Sequence, residues 1–342
     1  MANELLGTLI AVSARVGSDL DLVQAGGGNT SIKEDGILWV KASGKWLAQA
    51  ADDDMFLPVP MTDIAQRLAS EDENFPEYKT RRGVSLRPSV ETAVHAVLPQ
   101  RVVIHVHSVR AIAWAAQADG EQRIAPLLTG LKWRWIPYTH PGIPLAIRIQ
   151  REKANRPDVL ILENHGLVVA AEDCAASEKL LHEVERRLDG STRQAAPPDL
   201  TALQQRTAGS EWETAPDDET HALAMLQESR EIAAGGTLFP DQCVYLGPAA
   251  AIVQGEEPLE TAAQLYRQTY DFEPVFLIVP NAGVVTRRSM PRAARELLVG
   301  LKRVIERMPH AAQVTYLPTA QVARLMNWDA EKYRIAMARL AK

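Results

Sequence analysis

Cysteine is nearly missing from this chain: Cys174 and Cys243 are the only two in 342 residues. They stand far apart and in no paired motif, which excludes a disulfide framework and suits a reducing cytoplasm. Long apolar runs are missing as well. Nothing approaches the roughly 18 consecutive apolar residues of a membrane span. The opening "MANELLGTLIAVSARVG" puts Glu4 ahead of a short apolar stretch and has no basic region, so an amphipathic helix is expected rather than a signal peptide. Positive charge is not in excess, since 37 Lys and Arg against 43 Asp and Glu leave a net −6. That gives no basis for a nucleic-acid partner. No internal repeat and no long low-complexity tract stands out.

What remains is a globular α/β (α+β) composition, 46% hydrophobic and 23% charged, long enough for two domains. Strand-like "ILWVK" (37–41) and "MFLPV" (55–59) precede a helix at 61–70 and a long polar loop. Ser89 is placed to cap a helix "VETAVHAVL", which Pro99 stops. Further strands are expected at "VVIHVH", "WRWIPY" (133–138) and "DVLILEN" (158–164), and helices near 111–118 and at 173–188. The polar, proline-bearing stretch "DGSTRQAAPPD" reads as a linker. It divides a domain at 1–190 from a linker at 191–215 and a smaller α/β accessory domain at 216–342. In that second part a helix near 218–233, strand-like "CVYLG", "AAIVQ" and "PVFLIVP", and helices near 258–270, 291–308, 319–327 and 330–341 are expected.

The chemistry gathers in a few stretches. In "RVVIHVHSVR", His105 and His107 are two residues apart on an apolar strand, so both project to one side. Two imidazoles there are either a hydrogen-bonded pair or metal ligands, and the second reading needs another ligand. His165 in "ENHGLVVA" supplies one, and three imidazoles with open positions suit zinc. Glu91 in "RPSVETAVH" lies at a helix N-terminus, where a carboxylate suits the helix dipole; beside a metal it would be an acid/base group. His95, one turn later, reads as structural support. "QAGGGNTSIK" and "KASGK" fit neither a dinucleotide fingerprint nor a P-loop. Together they make an anion pocket from backbone N–H groups, Ser43 and Lys45.

These motifs, in this order, resemble the class II aldolase/adducin family, which includes fuculose- and rhamnulose-phosphate aldolases. The likeness covers roughly residues 1–190. "LFPDQCVYLGP", "VFLIVPNAGVV" and "MNWDAEKYR" resemble the aldolase portion of rhamnulose-phosphate aldolase/short-chain dehydrogenase fusions, with the dehydrogenase part not expected here. The resemblance implies a three-layer α/β/α fold with a mostly antiparallel central sheet. It implies Zn2+ or another divalent metal on His105, His107 and His165, and Glu91 as catalytic acid/base. Gly28, Asn29, Ser43, Gly44 and Ser89 would bind a phosphate. Ser89-Val90 stands where several sugar-phosphate aldolases have paired serines, and "RIAPLLTG" lacks the tyrosine of the fuculose type.

The expected activity is therefore reversible aldol cleavage of a ketose phosphate or related sugar acid through a zinc-stabilised enediolate. The expected setting is a cytoplasmic homotetramer with no nucleic-acid or membrane partner. Decarboxylase, dehydratase and epimerase chemistry on the same scaffold are alternatives. A non-enzymatic adducin-like module is disfavoured by the retained histidines and Glu91. An amidohydrolase barrel is disfavoured because more than 100 residues precede the histidine pair.

Overall fold

A computed structural model of the chain describes residues 2–152 and 156–340. It divides into two compact units. The first comprises residues 1–115, 121–189 and 329–342; the second comprises 116–120 and 190–328.

The first unit is built on a seven-stranded sheet in the order β3-β2-β1-β6-β9-β8-β7. Its strands are β1 (Asn29–Glu34), β2 (Ile37–Lys41), β3 (Phe56–Pro60), β6 (Val102–Val106), β7 (Trp133–Ile136), β8 (Val159–Leu162) and β9 (Gly166–Ala171). A small hairpin, β4 (Tyr78–Lys79) with β5 (Ser85–Leu86), lies within the expected polar loop. Every neighbouring pair in the large sheet is antiparallel except β7 with β8.

Alternation along the strands sends side chains to two apolar layers. Val102, Ile104 and Val106 join Val159, Ile161, Leu167 and Val169 beneath helices Ala2–Gly17 and Cys174–Leu188. Val103, Leu160, Leu162, Val168 and Ala170 pack on the opposite side against helices Met61–Ser70, Thr92–Val97 and Ile143–Arg151. The result is the expected α/β/α sandwich. Helix Thr92–Val97 starts later than Ser89 would set it. Glu91 is its N-cap, and the Ser89 hydroxyl accepts from the Glu91 N–H at 3.2 Å.

The second unit holds a four-stranded sheet in the order β10-β13-β12-β11: β10 (Trp212–Thr214), β11 (Ala251–Ile252), β12 (Phe276–Val279) and β13 (Gly283–Arg287). Strand β10 and helix Leu200–Thr207, capped by Asp199 on the Ala202 N–H at 2.9 Å, lie within the stretch expected as linker. Helix Asp329–Leu340, expected in the accessory domain, groups with the first unit; residue 341 of the expected helix lies outside the described residues. "CVYLG" is not a strand: Cys243–Leu246 end the helix Pro240–Leu246 and Gly247 follows with φ 96°. All seven helix residues are buried, so no amphipathic period marks it and an apolar run reads equally as strand. Pro240 opens that helix and Gly247 closes it, the usual asymmetry.

This second sheet repeats half of the first, which the amino-acid pattern did not reveal. Strands β6-β9-β8-β7 and β10-β13-β12-β11 share one order and one set of directions. The hairpin registers match position for position, Val159↔Val169 to Leu162↔Gly166 in one and Phe276↔Thr286 to Val279↔Gly283 in the other. Even the turn is repeated: Asn164 and Asn281 have φ 51° and 61°. The next residue donates to Leu162 O and Val279 O respectively, both at 3.1 Å. In this correspondence Thr214, Pro216 and Ala282 occupy the places of His105, His107 and His165. Among the described residues no helix is long and apolar enough to cross a membrane.

Candidate metal centre

His105 alternates onto the Val103 side of β6, the side that packs helix Thr92–Val97. His107 follows just past the strand. His165 comes from the β8–β9 turn, where Gly166 is required: a Cβ there would meet the Val106 carbonyl oxygen at 2.4 Å. The three rings converge, with centroids 5.1, 5.0 and 5.4 Å apart. Glu91 closes the group, Oε2 lying 3.1 Å from His105 Nε2 and Oε1 3.4 Å from His165 Nε2. One ligand atom from each of the four falls within 4.8 Å of the others, and all four residues are buried.

This donor set fits a divalent cation for an electrostatic reason. His105 Nδ1 lies 3.0 Å from Leu167 O. A carbonyl only accepts, so Nδ1 carries the hydrogen, and in the neutral ring Nε2 turns a lone pair toward the Glu91 carboxylate. Two electron-rich atoms in that position call for positive charge between them. Carbonyl-anchored imidazole is also the orientation usual for metal-bound histidine. Burial pushes the Glu91 carboxyl up, and positive charge at His105, His165 and His107 outweighs it and holds the group well below the usual carboxylate range when those rings are protonated. With neutral rings a bound cation would supply that charge.

A hydrogen-bonded chain fixes Glu91 from behind. Asn29 sits opposite His105 in the β1–β6 register, and its Nδ2 donates to Glu91 Oε2 at 3.1 Å. Asn29 Oδ1 accepts from His95 Nε2. The Ser31 hydroxyl, 2.7 Å from His95 Nδ1, supplies that nitrogen with a donor. Burial pushes His95 down to about 3, so it stays neutral in this chain. It does not join the cluster.

Most of the residues expected to form an anion pocket come together beside these groups. Ala42 bridges Pro88, and Ser89 N donates to Lys41 O at 3.0 Å, so "KASG" and "RPSVE" run side by side. Gly28, Asn29, Ser43, Gly44 and Ser89 line one small cavity, which Glu91 and His107 also border. Lys45 does not enter it. Its Nζ pairs with Asp53 at 2.8 Å, because the chain turns outward after Gly44. Lys41 lines the cavity instead, with its side chain 2% exposed and Nζ donating to Gly26 O and Lys45 O at 2.8 and 2.9 Å. Its signal was a lone lysine ending an apolar strand. Arg334 also lines the cavity, and no local sequence signal connects it to these motifs.

The class II aldolase and adducin N-terminal domain model matches residues 8–189. The chain belongs to the class II aldolase/adducin family. A curated relative, the uncharacterized oxidoreductase YuxG of Bacillus subtilis, is 34% identical over 181 residues, 48% of this chain. The chain spans about a quarter (26%) of that relative's length. The N-terminal class II aldolase domain of a conserved Thermoplasma acidophilum protein is 26% identical. The match covers 53% of this chain and 90% of that one, with a TM-score of 0.45. An L-fuculose-1-phosphate aldolase from Thermus thermophilus is 21% identical over 53% of this chain and 92% of that one, with a TM-score of 0.37.

Proposed function

We propose that this protein catalyses reversible, divalent-metal-dependent aldol cleavage of a small polyhydroxylated carbonyl compound with an anionic end. The observation that carries the reading is that Glu91 and His107 belong both to the histidine–carboxylate cluster and to the wall of the small cavity lined by Gly28, Asn29, Ser43, Gly44 and Ser89. A substrate held in the cavity is thereby presented to the cluster. His105, His107 and His165 would hold the cation, and three imidazoles favour zinc. A cation bound there supplies Lewis acidity that stabilises negative charge developing on substrate oxygens.

The chain's own residues account for the rest. Glu91, held in its charged form, is a base at the start of the condensation direction and returns the proton to the same carbon in cleavage. In cleavage the hydroxyl proton of the departing carbon passes to the Glu91 carboxylate. The carbon–carbon bond breaks with its electron pair moving to the carbon next to the carbonyl, and Glu91 then gives the proton to that carbon as the aldehyde departs. Asn29 aims the carboxylate. Ser43, Ser89 and the backbone around Gly28 and Gly44 hold the anionic end. The protein is further proposed to act as a homotetramer, a proposal that a fully active monomer in light scattering would refute. Product analysis of the metal-loaded protein on a panel of ketose phosphates and sugar acids tests the reaction. Aldehyde release supports cleavage; carbon dioxide, dehydrated or epimerised products would replace it.

A further inference from the structure

One residue lining the cavity beside the histidines comes from far along the chain. Helix Asp329–Leu340 brings Arg334 to the wall formed by Asn29, Ser43, Ser89 and Val90. The seating is close: a Cβ on Gly44, whose φ is +76°, would meet Met337 Cβ at 2.6 Å and Arg334 O at 3.0 Å. Arg334 is 9% exposed, and Glu331, 5% exposed, takes its Nε–H at 2.6 Å. Arg87 of the same neighbourhood stacks on Tyr333 at 4.8 Å. A buried guanidinium on a residue of the cavity wall, oriented by a buried carboxylate, is a constructed feature, because isolated buried charge is costly.

Resting on the function proposed above, we infer that Arg334 is the specificity determinant for the substrate's anionic end and that this end is a carboxylate. Three observations favour a carboxylate over a phosphate. The cavity encloses about 30 Å3, space for about two waters at roughly 10–15 Å3 each. That suits the two oxygens of a carboxylate better than the three terminal oxygens of a phosphoryl group. The charge count agrees: apart from Glu91, which faces the histidines, Arg334 and Lys41 bring two positive charges to the cavity and Glu331 one negative, a net +1 that compensates a monoanion rather than a dianion. The position before Glu91 is Val90, which lines the cavity with methyl groups and gives no third hydroxyl. A planar guanidinium fork also matches a planar carboxylate in a way that an ammonium does not.

The test uses three hydroxamates that share one metal-chelating head and differ in their tails: acetohydroxamate (neutral), malonic acid monohydroxamate (carboxylate) and phosphoglycolohydroxamate (phosphate). Each is titrated calorimetrically into the zinc-loaded full chain. The carboxylate-tailed probe should bind at least about tenfold more tightly than either other. Arg334→Met should bring it to the acetohydroxamate level while leaving acetohydroxamate itself unchanged. Arg334→Lys keeps the charge beside Glu331 and so guards against misfolding of the Met variant; it should lose most of the preference at unchanged melting temperature. A phosphate-tailed probe that binds most tightly, or a carboxylate preference that survives in Arg334→Lys, overturns the inference while the metal centre stands. Failure of all three to bind overturns the metal-centre reading and this inference with it.

Discussion

Glu91 heads a helix of six residues yet caps none of its N–H groups with its side chain. Its carboxylate faces His105, His165 and Asn29 instead. A carboxylate serving only the helix dipole would cost about 0.3–1 kcal/mol of stability on change to glutamine and leave turnover intact. As the proton-transfer group, Glu91→Gln should lower turnover about 10²–10⁴-fold. The cation should be retained, because three imidazoles remain. Exchange of the donor proton with solvent deuterium reads this step directly, and parental exchange in a metal-replete variant would refute the assignment. A second carboxyl gives a stability signature. Burial pushes Glu185 up to about 7, against the hydrogen bond from Ser108 and the charge of Arg110. The folded state then binds this proton more tightly than the unfolded chain, so its contribution is present at low pH and lost as pH rises from about 4.5 through 7. Urea unfolding should show a fall on the order of 3 kcal/mol across that window, and Glu185→Gln should flatten it.

The element that decides the site's geometry is the β8–β9 hairpin. Leu162 pairs with Gly166 at its closed end, Asn164 takes a left-handed conformation in the turn, and His165 is thereby aimed at the β6 histidines. Gly166→Ala adds one methyl where the Val106 carbonyl stands. The expected cost is about 1–3 kcal/mol from overpacking, read as a lower urea midpoint, together with weaker metal binding because β9 must move from β6. Unchanged stability would mean that the strands can separate freely. The matching hairpin of the second unit keeps the turn and the glycine but carries Ala282, 8% exposed in an apolar cluster with Leu203, Trp212 and Leu277. The same backbone device therefore serves packing in one unit and places His165 in the His–Glu cluster in the other.

Taken whole, the chain holds two related sheets and one His–Glu cluster among its described residues. Metal content should accordingly approach one divalent ion per chain, measured by plasma mass spectrometry after dialysis. His105→Ala and His165→Ala should each remove it. Two ions per chain, or full retention in both variants, would contradict the assignment.

The sequence by itself determined the parts written in local pattern. Apolar alternation gave strands such as Ile37–Lys41, and the order of "GGGNTSIK", "KASG", "PSVETAVH", "VVIHVH" and "ENHG" announced the family. His105 and His107 could be paired because a strand's two-residue period fixes their side. Only tertiary structure decided what depends on contacts between distant segments. Asn29 meets Glu91 because β1 lies against β6, a pairing that no local period encodes. Lys45 lies outside the cavity beside the histidines, its ammonium paired with Asp53, and Lys41 lines the cavity wall instead. The repeated half-sheet escaped the sequence because its registers survive while its side chains differ, backbone pairing being far less demanding of residue identity than metal ligation. Arg334 was hidden for the plainest physical reason: burial of a helix face against the Gly44 loop is settled by packing across the fold, and nothing near either segment records the other.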